Sequence, residues 1–174
     1  MFIVGATPPR QTRPRARKVV SVQDRAPQLL VIEDARDQAI LVGVAARRAL
    51  PGLEVHITGN GQEGIDFLSG VEGLATPATN PVPDLIILDL MMPVVDGFGV
   101  LEWIMEHLSD ALIPVVVLTA SADPEREARA RVLGACDVFE KPKDLDSLGT
   151  TVRQIVTRWI SVGDIMAAHM RLSG

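Results

Sequence analysis

Apolar residues along the chain fall into short runs that alternate with longer amphipathic stretches. Continuous apolar runs at 29–32, 85–88 and 113–118 are too short for buried helices, so each predicts a buried parallel strand. Residues 53–58 alternate between apolar and polar, which predicts a half-buried edge strand, and 137–140 has the pattern of a short fifth strand. In the edge strand the predicted inward residues are Leu53, Val55 and Ile57, and the predicted outward ones are Glu54, His56 and Thr58.

The stretches between the strands predict helices. The first covers 35–50, and Ile40, Leu41, Val44 and Ala45 recur in it at helical spacing, which predicts them as its buried face. The other predicted helices begin near Glu63, Phe98, Pro124 and Asp144 or Asp146, and the last ends at Ile160. Strand and helix alternate five times. This order predicts an α/β fold, a three-layer, doubly wound parallel (βα)5 sheet.

Composition and charge divide the chain into one domain with two tails. At 174 residues and 47% hydrophobic content, residues 28–160 can bury a full core. Residues 1–27 hold six basic side chains against one acid and little apolar pattern, which predicts a basic, disordered tail. We favour that interpretation over a nucleic-acid or anionic-lipid contact. Residues 161–174 are expected to form a C-terminal tail or a short helical extension.

Several classes of protein are excluded by what the sequence lacks. There is no apolar stretch of membrane-spanning length and no signal-peptide pattern at the start. The single cysteine, Cys136, cannot form an internal disulfide, which suits a reducing compartment. We therefore predict a soluble cytoplasmic protein with no membrane partner.

Charged and hydroxyl side chains follow the predicted buried strands. Glu33 and Asp34 follow the first strand, Asp89 the third, Thr119 the fourth and Lys141 the fifth. Because doubly wound sheets keep their sites beyond the carboxyl ends of the strands, we expect these groups to lie together. Clustered carboxylates need a compensating cation, and Mg²⁺ is a hard ion that prefers oxygen ligands. The pattern predicts a Mg²⁺ site able to handle a phosphoryl group.

With these five positions in order, residues 28–160 resemble the CheY-like receiver domains of two-component response regulators. The resemblance implies a flavodoxin-like sheet with strand order 2-1-3-4-5. It also implies that Asp89 accepts a phosphoryl group and that Thr119 and Lys141 contact it. The implied Mg²⁺ ligands are Glu33, Asp34, Asp89 and the main-chain carbonyl of Met91. A cis peptide bond between Lys141 and Pro142 is implied as well.

Further features bear on partners and readout. Val138 stands where the family often has an aromatic switch residue, which excludes a ring-flip mechanism there. The long loop before the third strand and the lack of an output domain after Ile160 resemble stand-alone regulators that partner with phytochrome-type sensor histidine kinases. We expect readout through the fourth helix, fifth strand and fifth helix. A homodimer there would use Val152, Ile155, Val156, Trp159 and the C-terminal segment.

Other function classes fit less well. A phosphohydrolase of the haloacid-dehalogenase type needs a second Asp two residues after the nucleophile, where this chain has Met91. A flavodoxin-like cofactor binder would place phosphate near Glu33 and Asp34, which would repel it. We therefore expect a phosphoacceptor signalling protein rather than an enzyme. The sequence leaves open whether it is an output regulator, a phosphorelay intermediate or a phosphate sink that drains a kinase.

Overall fold

The computed structural model describes residues 25–72, 81–121 and 123–172. The predicted N-terminal tail lies almost entirely outside these residues. The elements in chain order are β1 (Gln28–Ile32), α1 (Arg36–Ala49), β2 (Glu54–Thr58), α2 (Gly61–Glu72), β3 (Leu85–Leu88), α3 (Gly97–His107), a 3-10 turn (Ser109–Ala111), β4 (Val115–Thr119), α4 (Pro124–Val132), β5 (Asp137–Glu140) and α5 (Leu145–Leu172). No helix in the described part of the chain is long and apolar enough to cross a membrane.

The five strands form one parallel sheet in the order β2-β1-β3-β4-β5. Because every strand runs in the same direction, all five carboxyl ends lie on one edge. The connection reverses direction after β2, so β1 and β3 lie side by side at the centre. The predicted fold class and strand order are confirmed.

Helices cover both faces of the sheet and divide the core into two layers. Apart from Gln28 and Thr119 at their ends, the three central strands consist of branched aliphatic residues that are buried on both sides, as the continuous apolar runs predict. On one side, α1 and α5 pack through Ala39, Val42, Ala46, Val152, Ile155 and Val156. On the other, α2, α3 and α4 contribute Leu68, Phe98, Val100, Leu101 and Ala130.

The predicted buried face of α1 is wrong. Ala39, Val42, Gly43 and Ala46 face the core, while Ile40, Leu41 and Val44 are 38–45% exposed. A Cβ added at Gly43 would lie 3.4 Å from Val55, so the helix sits close to the sheet and small residues suit that approach. The larger aliphatic side chains therefore lie on the outer surface, which periodicity alone could not distinguish.

The inward and outward residues of β2 also differ from the prediction. Leu53 is buried, but Ile57 is 42% exposed and Thr58 is buried. His56 is half-buried, and its Nε2 lies 2.7 Å from Oε1 of Gln28. This edge strand has only one neighbour, and its helix-facing side is only partly covered, so simple alternation does not set its burial.

Helix α5 continues to Leu172, beyond the predicted end at Ile160. Three of the dimer contacts predicted on it are wrong, because Val152, Ile155 and Val156 are at most 1% exposed and pack against the sheet and α1. The side chains of the C-terminal segment that was predicted to join them lie outside the described residues. Trp159 is half-buried and packs against the same core layer.

Candidate functional site

Carboxylates from two central strands meet at the carboxyl edge of the sheet. Oxygens of Glu33, Asp34 and Asp89 all lie within 4.8 Å of one another. Glu33 and Asp89 are 4% and 5% exposed, whereas Asp34 is exposed. Lys141 reaches the same point from the end of β5, with its Nζ 2.6 Å from Oε2 of Glu33 and 2.7 Å from Oδ2 of Asp89. One ammonium thus pairs with two buried carboxylates.

The charges in this cluster do not balance. Burial raises the pKa of Glu33 above its ordinary value of 4.5, and the negative charge of Asp89 acts in the same direction. The ion pair with Lys141 and the hydrogen bond from the Ala35 N–H oppose that rise in pKa. Three carboxylates beside one ammonium leave a negative site. Oxygen donors this close together fit Mg²⁺, which would supply the missing positive charge.

Thr119 adds an unsatisfied hydroxyl at the end of β4. Thr119 is fully buried, and its backbone carbonyl accepts a hydrogen bond of 2.8 Å from the Lys141 N–H. Its Oγ1 has no hydrogen-bond partner among the described residues. Because β4 lies directly beside β3, the end of β4 that carries Thr119 is next to the end of β3 that precedes Asp89. A buried hydroxyl without a partner is costly unless a ligand completes it.

The loop between β3 and α3 holds Asp89 in place. Gly97 opens α3 so close to the strand end that an added Cβ would collide with the carbonyl oxygen of Asp89. Its N–H donates to the carbonyl of Leu90, and Asp96 caps the helix by accepting from the Gly99 N–H at 2.9 Å. Val94 has φ of +71°, a strained value for a β-branched residue, at the exposed tip of the loop. The tight loop leaves the carboxylate little freedom.

The structure brings the predicted side chains Glu33, Asp34, Asp89 and Lys141 together. Thr119 ends the strand next to β3, with its hydroxyl buried and without a partner among the described residues. Met91 is near too, since its N–H donates to Oδ1 of Asp89 at 3.2 Å, while no described contact involves its carbonyl. The implied cis peptide is wrong: no cis bond occurs among the described residues, so the one between Lys141 and Pro142 is trans. Trans is the favoured form unless packing selects the other.

Two neighbours of the site were missed from the sequence. The Ala35 N–H binds Glu33, and the guanidinium of Arg126 reaches the side chain of Met91 from α4. A local turn such as that of Ala35 gives no side-chain signal. The Arg126 contact joins residues 35 positions apart, so only the folded chain reveals it.

Comparison with known proteins now decides the family. Residues 29–153 match the family described as the response regulator receiver domain. The chain belongs to this family. Among curated proteins, it is 35% identical over 132 residues to the DNA-binding dual master transcriptional regulator RpaA of Synechocystis sp., and 27% identical over 146 residues to the regulatory protein AtoC of Escherichia coli. The alignments cover 76% and 84% of the chain but 50% and 29% of those proteins, so the chain spans half their length or less.

Two solved structures of similar size resemble the receiver. The phosphorylated cyanobacterial phytochrome response regulator RcpA matches with a TM-score of 0.69 at 29% identity, over 78% of this chain and 95% of RcpA. The Mn²⁺-bound response regulator Rcp1 matches with a TM-score of 0.67 at 28% identity, over 77% and 94%. The predicted family is thereby confirmed, including the resemblance to phytochrome-partnered regulators.

Proposed function

We propose that this receiver accepts a phosphoryl group on Asp89 from a histidine kinase and changes its partner contacts in response. The observation that carries the proposal is the arrangement around Asp89: a buried carboxylate paired with Lys141, beside two further acids, with an unsatisfied Thr119 hydroxyl at the end of the neighbouring strand. Lys141 and Thr119 supply the charge and the hydroxyl donor that phosphoryl oxygens require. Glu33, Asp34 and Asp89 supply the oxygens for a divalent cation.

The chemistry divides among these residues. A carboxylate oxygen of Asp89 attacks the phosphorus, the bond from phosphorus to the donor imidazole nitrogen breaks, and its electron pair stays on the imidazole. Lys141 offsets the charge of the group as it arrives, and Thr119 donates to one of its oxygens. Mg²⁺, held by Glu33, Asp34, Asp89 and the Met91 carbonyl, would screen the phosphoryl charge from the carboxylates. Rcp1 was solved with Mn²⁺, which supports a divalent ion here.

A donor protein needs a surface beside Asp89, and the α1 patch offers one. We define the α1 patch as Ile40, Leu41, Val44 and Leu145, which are 38–64% exposed. A groove of about 390 Å³ joins Leu41 and Leu145 to Lys141. Contiguous exposed aliphatic side chains of this kind are typical of protein contact sites. We infer that the kinase docks on the α1 patch, and the likeness to RcpA makes a phytochrome-type kinase the first candidate.

Readout is proposed on the opposite side of Lys141. We define the α4–β5–α5 face as Glu127, Arg131, Asp137 and Arg158, one residue or more from each element. Thr119 and Lys141 lie at the ends of the two strands that flank α4, so groups drawn toward a phosphoryl oxygen would pull on its connections. A second copy or a target protein that favours the shifted state would then bind this face more tightly.

Phosphorylation itself provides the decisive test. Purified protein with Mg²⁺ and acetyl phosphate is expected to gain one phosphoryl group that alkali and hydroxylamine release, as they do an acyl phosphate. Asp89→Asn should abolish this labelling. Asp96→Asn is the matched control, because Asp96 lies in the same loop but its side chain caps α3. Stoichiometric labelling of the Asp89→Asn protein would refute the assignment.

The cation is tested separately. Replacing Glu33 with Gln and Asp34 with Asn is expected to weaken Mg²⁺ binding, measured by calorimetry, and to slow labelling by acetyl phosphate. Asp66→Asn is the control. Asp66 is exposed on α2 and contacts Gln62, so the substitution removes a negative charge outside the acid cluster. Equal Mg²⁺ affinity in the double variant and the wild type would place the ion elsewhere.

A further inference from the structure

A groove of about 330 Å³ lies at the amino-terminal edge of the sheet, at the other end of the strands from the acid cluster. Its walls come from the end of α3, the 3-10 turn, the start of β4, the α4–β5 connection and α5. Exposed aliphatic side chains around a concave surface are typical of a contact site. We define the α3–β4 groove by six of its lining residues, Met105, Leu108, Leu112, Ile113, Cys136 and Trp159.

Three side chains of the α3–β4 groove gain from a contact. Met105 and Leu112 are 48% and 43% exposed, and Leu112 has a φ of +49°, which few residues other than glycine adopt. The indole N–H of Trp159 is buried without a hydrogen-bond partner among the described residues. A peptide segment would bury the aliphatic side chains, and its main-chain carbonyls are acceptors of the kind that an indole N–H needs.

The described part of the chain begins close to this groove. Arg25, its first residue, contacts Oδ1 of Asp84 at 2.5 Å, and Asp84 directly precedes β3. Pro114 lines the groove and directly precedes β4, the next strand of the sheet. Because neighbouring strands lie about 4.8 Å apart, the start of β1 is roughly 10 Å from the groove. Three extended residues cover about 10 Å, so Val22 can reach it from Arg25.

The segment just before Arg25 has a composition that suits the groove. Residues 18–22 read Lys-Val-Val-Ser-Val and lie outside the described residues. In an extended chain alternate side chains share a face, so Val20 and Val22 would meet the groove together. β-Branched residues favour that conformation.

The charges next to the groove complement the same segment. Glu106 and Asp110 follow directly after Met105 and Ser109, which both line the groove. Both acids are exposed, and neither forms an ion pair within the described part of the chain. Lys18 lies at the start of the aliphatic segment, where it would bring a positive charge to this acidic side.

We propose that residues 18–22 dock in the α3–β4 groove, with Val20 and Val22 against its aliphatic walls and Lys18 toward the two acids. The inference does not depend on the phosphoryl chemistry at Asp89, which lies beyond the opposite edge of the sheet. The other apolar stretch of the tail, residues 2–4, ends 21 positions before Arg25, so its effective concentration at the groove is lower. A protein that binds the α3–β4 groove would have to displace residues 18–22.

Cys136 reports on the groove, because it is the only cysteine in the chain and its side chain is exposed when only the described residues are present. Its rate of labelling by an aromatic disulfide reagent is measured in the full chain. Combining Val20→Asp with Val22→Asp is expected to speed labelling about tenfold, equivalent to ~1.4 kcal/mol of docking free energy. The control combines Phe2→Asp with Val4→Asp, which adds the same charge to residues 2–4, and it should label at the wild-type rate.

The two indole N–H signals in the NMR spectrum give a second measurement. Trp159 lines the groove, whereas Trp103 stacks on His107 on α3 and is not part of the groove lining. In the protein with Asp at positions 20 and 22, the Trp159 signal is expected to shift while the Trp103 signal stays in place. The unchanged Trp103 signal also shows that the variant is folded.

Each other outcome overturns the inference. Labelling at the wild-type rate in the variant at positions 20 and 22 would show that these residues do not cover Cys136. An equal acceleration in the variant at positions 2 and 4 would assign the protection to the tail as a whole. Wild-type labelling that slows as the protein concentration rises would make a second copy of the chain the occupant. Movement of both indole signals would assign the effect to the whole domain instead of the groove.

Discussion

The α1 patch and the α4–β5–α5 face differ in the kind of surface they present. The α1 patch is aliphatic, with Leu145 64% exposed, and lies beside a groove that ends at Lys141. The α4–β5–α5 face is charged and largely self-paired: Arg131 contacts Glu127 and Asp137 at 3.0 Å, and Arg158 contacts Asp137 at 3.5 Å. Docking on an aliphatic patch depends on burial, whereas ion pairs can exchange partners.

The site connects these two surfaces. Glu33 follows β1, which packs against α1, and Lys141 follows β5, which belongs to the α4–β5–α5 face. Their ion pair of 2.6 Å therefore links the end of β1 to the end of β5, with β3 and β4 between them. A phosphoryl group on Asp89 would compete for Lys141 and weaken that link. This arrangement suits a protein that receives its signal on one side and passes it on from the other.

The largest effect is expected on the α1 patch. Leu41→Asp places a charge where the kinase would bury an aliphatic group, so phosphotransfer should slow about thirtyfold, as expected for a hot-spot residue worth ~2 kcal/mol. Phosphotransfer is measured with histidine kinases of the same genome, using the one that labels the wild type fastest. Labelling by acetyl phosphate should stay unchanged, since Asp89 is intact.

Val132→Asp provides the control for the kinase experiment. Val132 is 80% exposed on α4, so the substitution adds the same charge to an aliphatic site outside the α1 patch. We expect the kinase to phosphorylate the Val132→Asp protein at the wild-type rate. Equal losses in the two variants would remove the distinction between the two surfaces.

The fold follows closely from the sequence because its strongest signals are local. Buried parallel strands need continuous apolar runs, and the bounds predicted for β5 agree with the structure. Asp123 and Pro124 begin α4 as cap and first-turn residues, and Gly134 adopts a φ of +95° just beyond it. The errors occur where an element offers two apolar stripes, as α1 does. There the close approach at Gly43, not hydrophobicity, selects the buried stripe.

The site could be predicted in part for a related reason. Parallel strands place their carboxyl ends on one edge of the sheet, so the sequence alone groups Glu33, Asp89 and Lys141. The contact of Arg126 with Met91 depends on where α4 lies relative to the β3–α3 loop, which no local pattern encodes. The burial of Val152 and Ile155 likewise depends on tertiary packing, because α5 packs against α1 and the sheet.

A smaller effect is expected when the link between the two sides is cut. Because burial raises the pKa of Glu33, the folded protein holds that proton more tightly than the unfolded chain does. The contribution of this proton binding to stability is complete below the ordinary pKa of Glu33, and it is lost as the pH rises through the raised pKa of the folded protein. Glu33→Gln should therefore stabilise the metal-free protein at neutral pH by about 1 kcal/mol, the ordinary size of a single-substitution effect.

Urea denaturation in EDTA between pH 4 and 8 measures this change in the free energy of unfolding. The gain should shrink toward acid pH, where wild-type Glu33 is itself protonated. Glu140→Gln serves as the control, because Glu140 is exposed at the end of β5 and makes no part of the acid cluster. A gain of equal size at every pH would contradict the assigned role of burial.

The smallest effect is expected on the α4–β5–α5 face. Asp137→Asn removes the negative charge that Arg131 and Arg158 share, and ion pairs near the surface contribute little, so the free energy of unfolding should fall by only about 0.5 kcal/mol. Beryllofluoride, which mimics the phosphoryl group, should still bind, but the association that it induces should change about twofold, measured by sedimentation. Glu102→Gln, which frees Arg129 on the α3 side, is the matched control and should change neither quantity as much. If Asp137→Asn leaves association as it is in the wild type while Leu41→Asp alters it, the readout belongs to the α1 patch, and the two surfaces have been assigned the wrong way round.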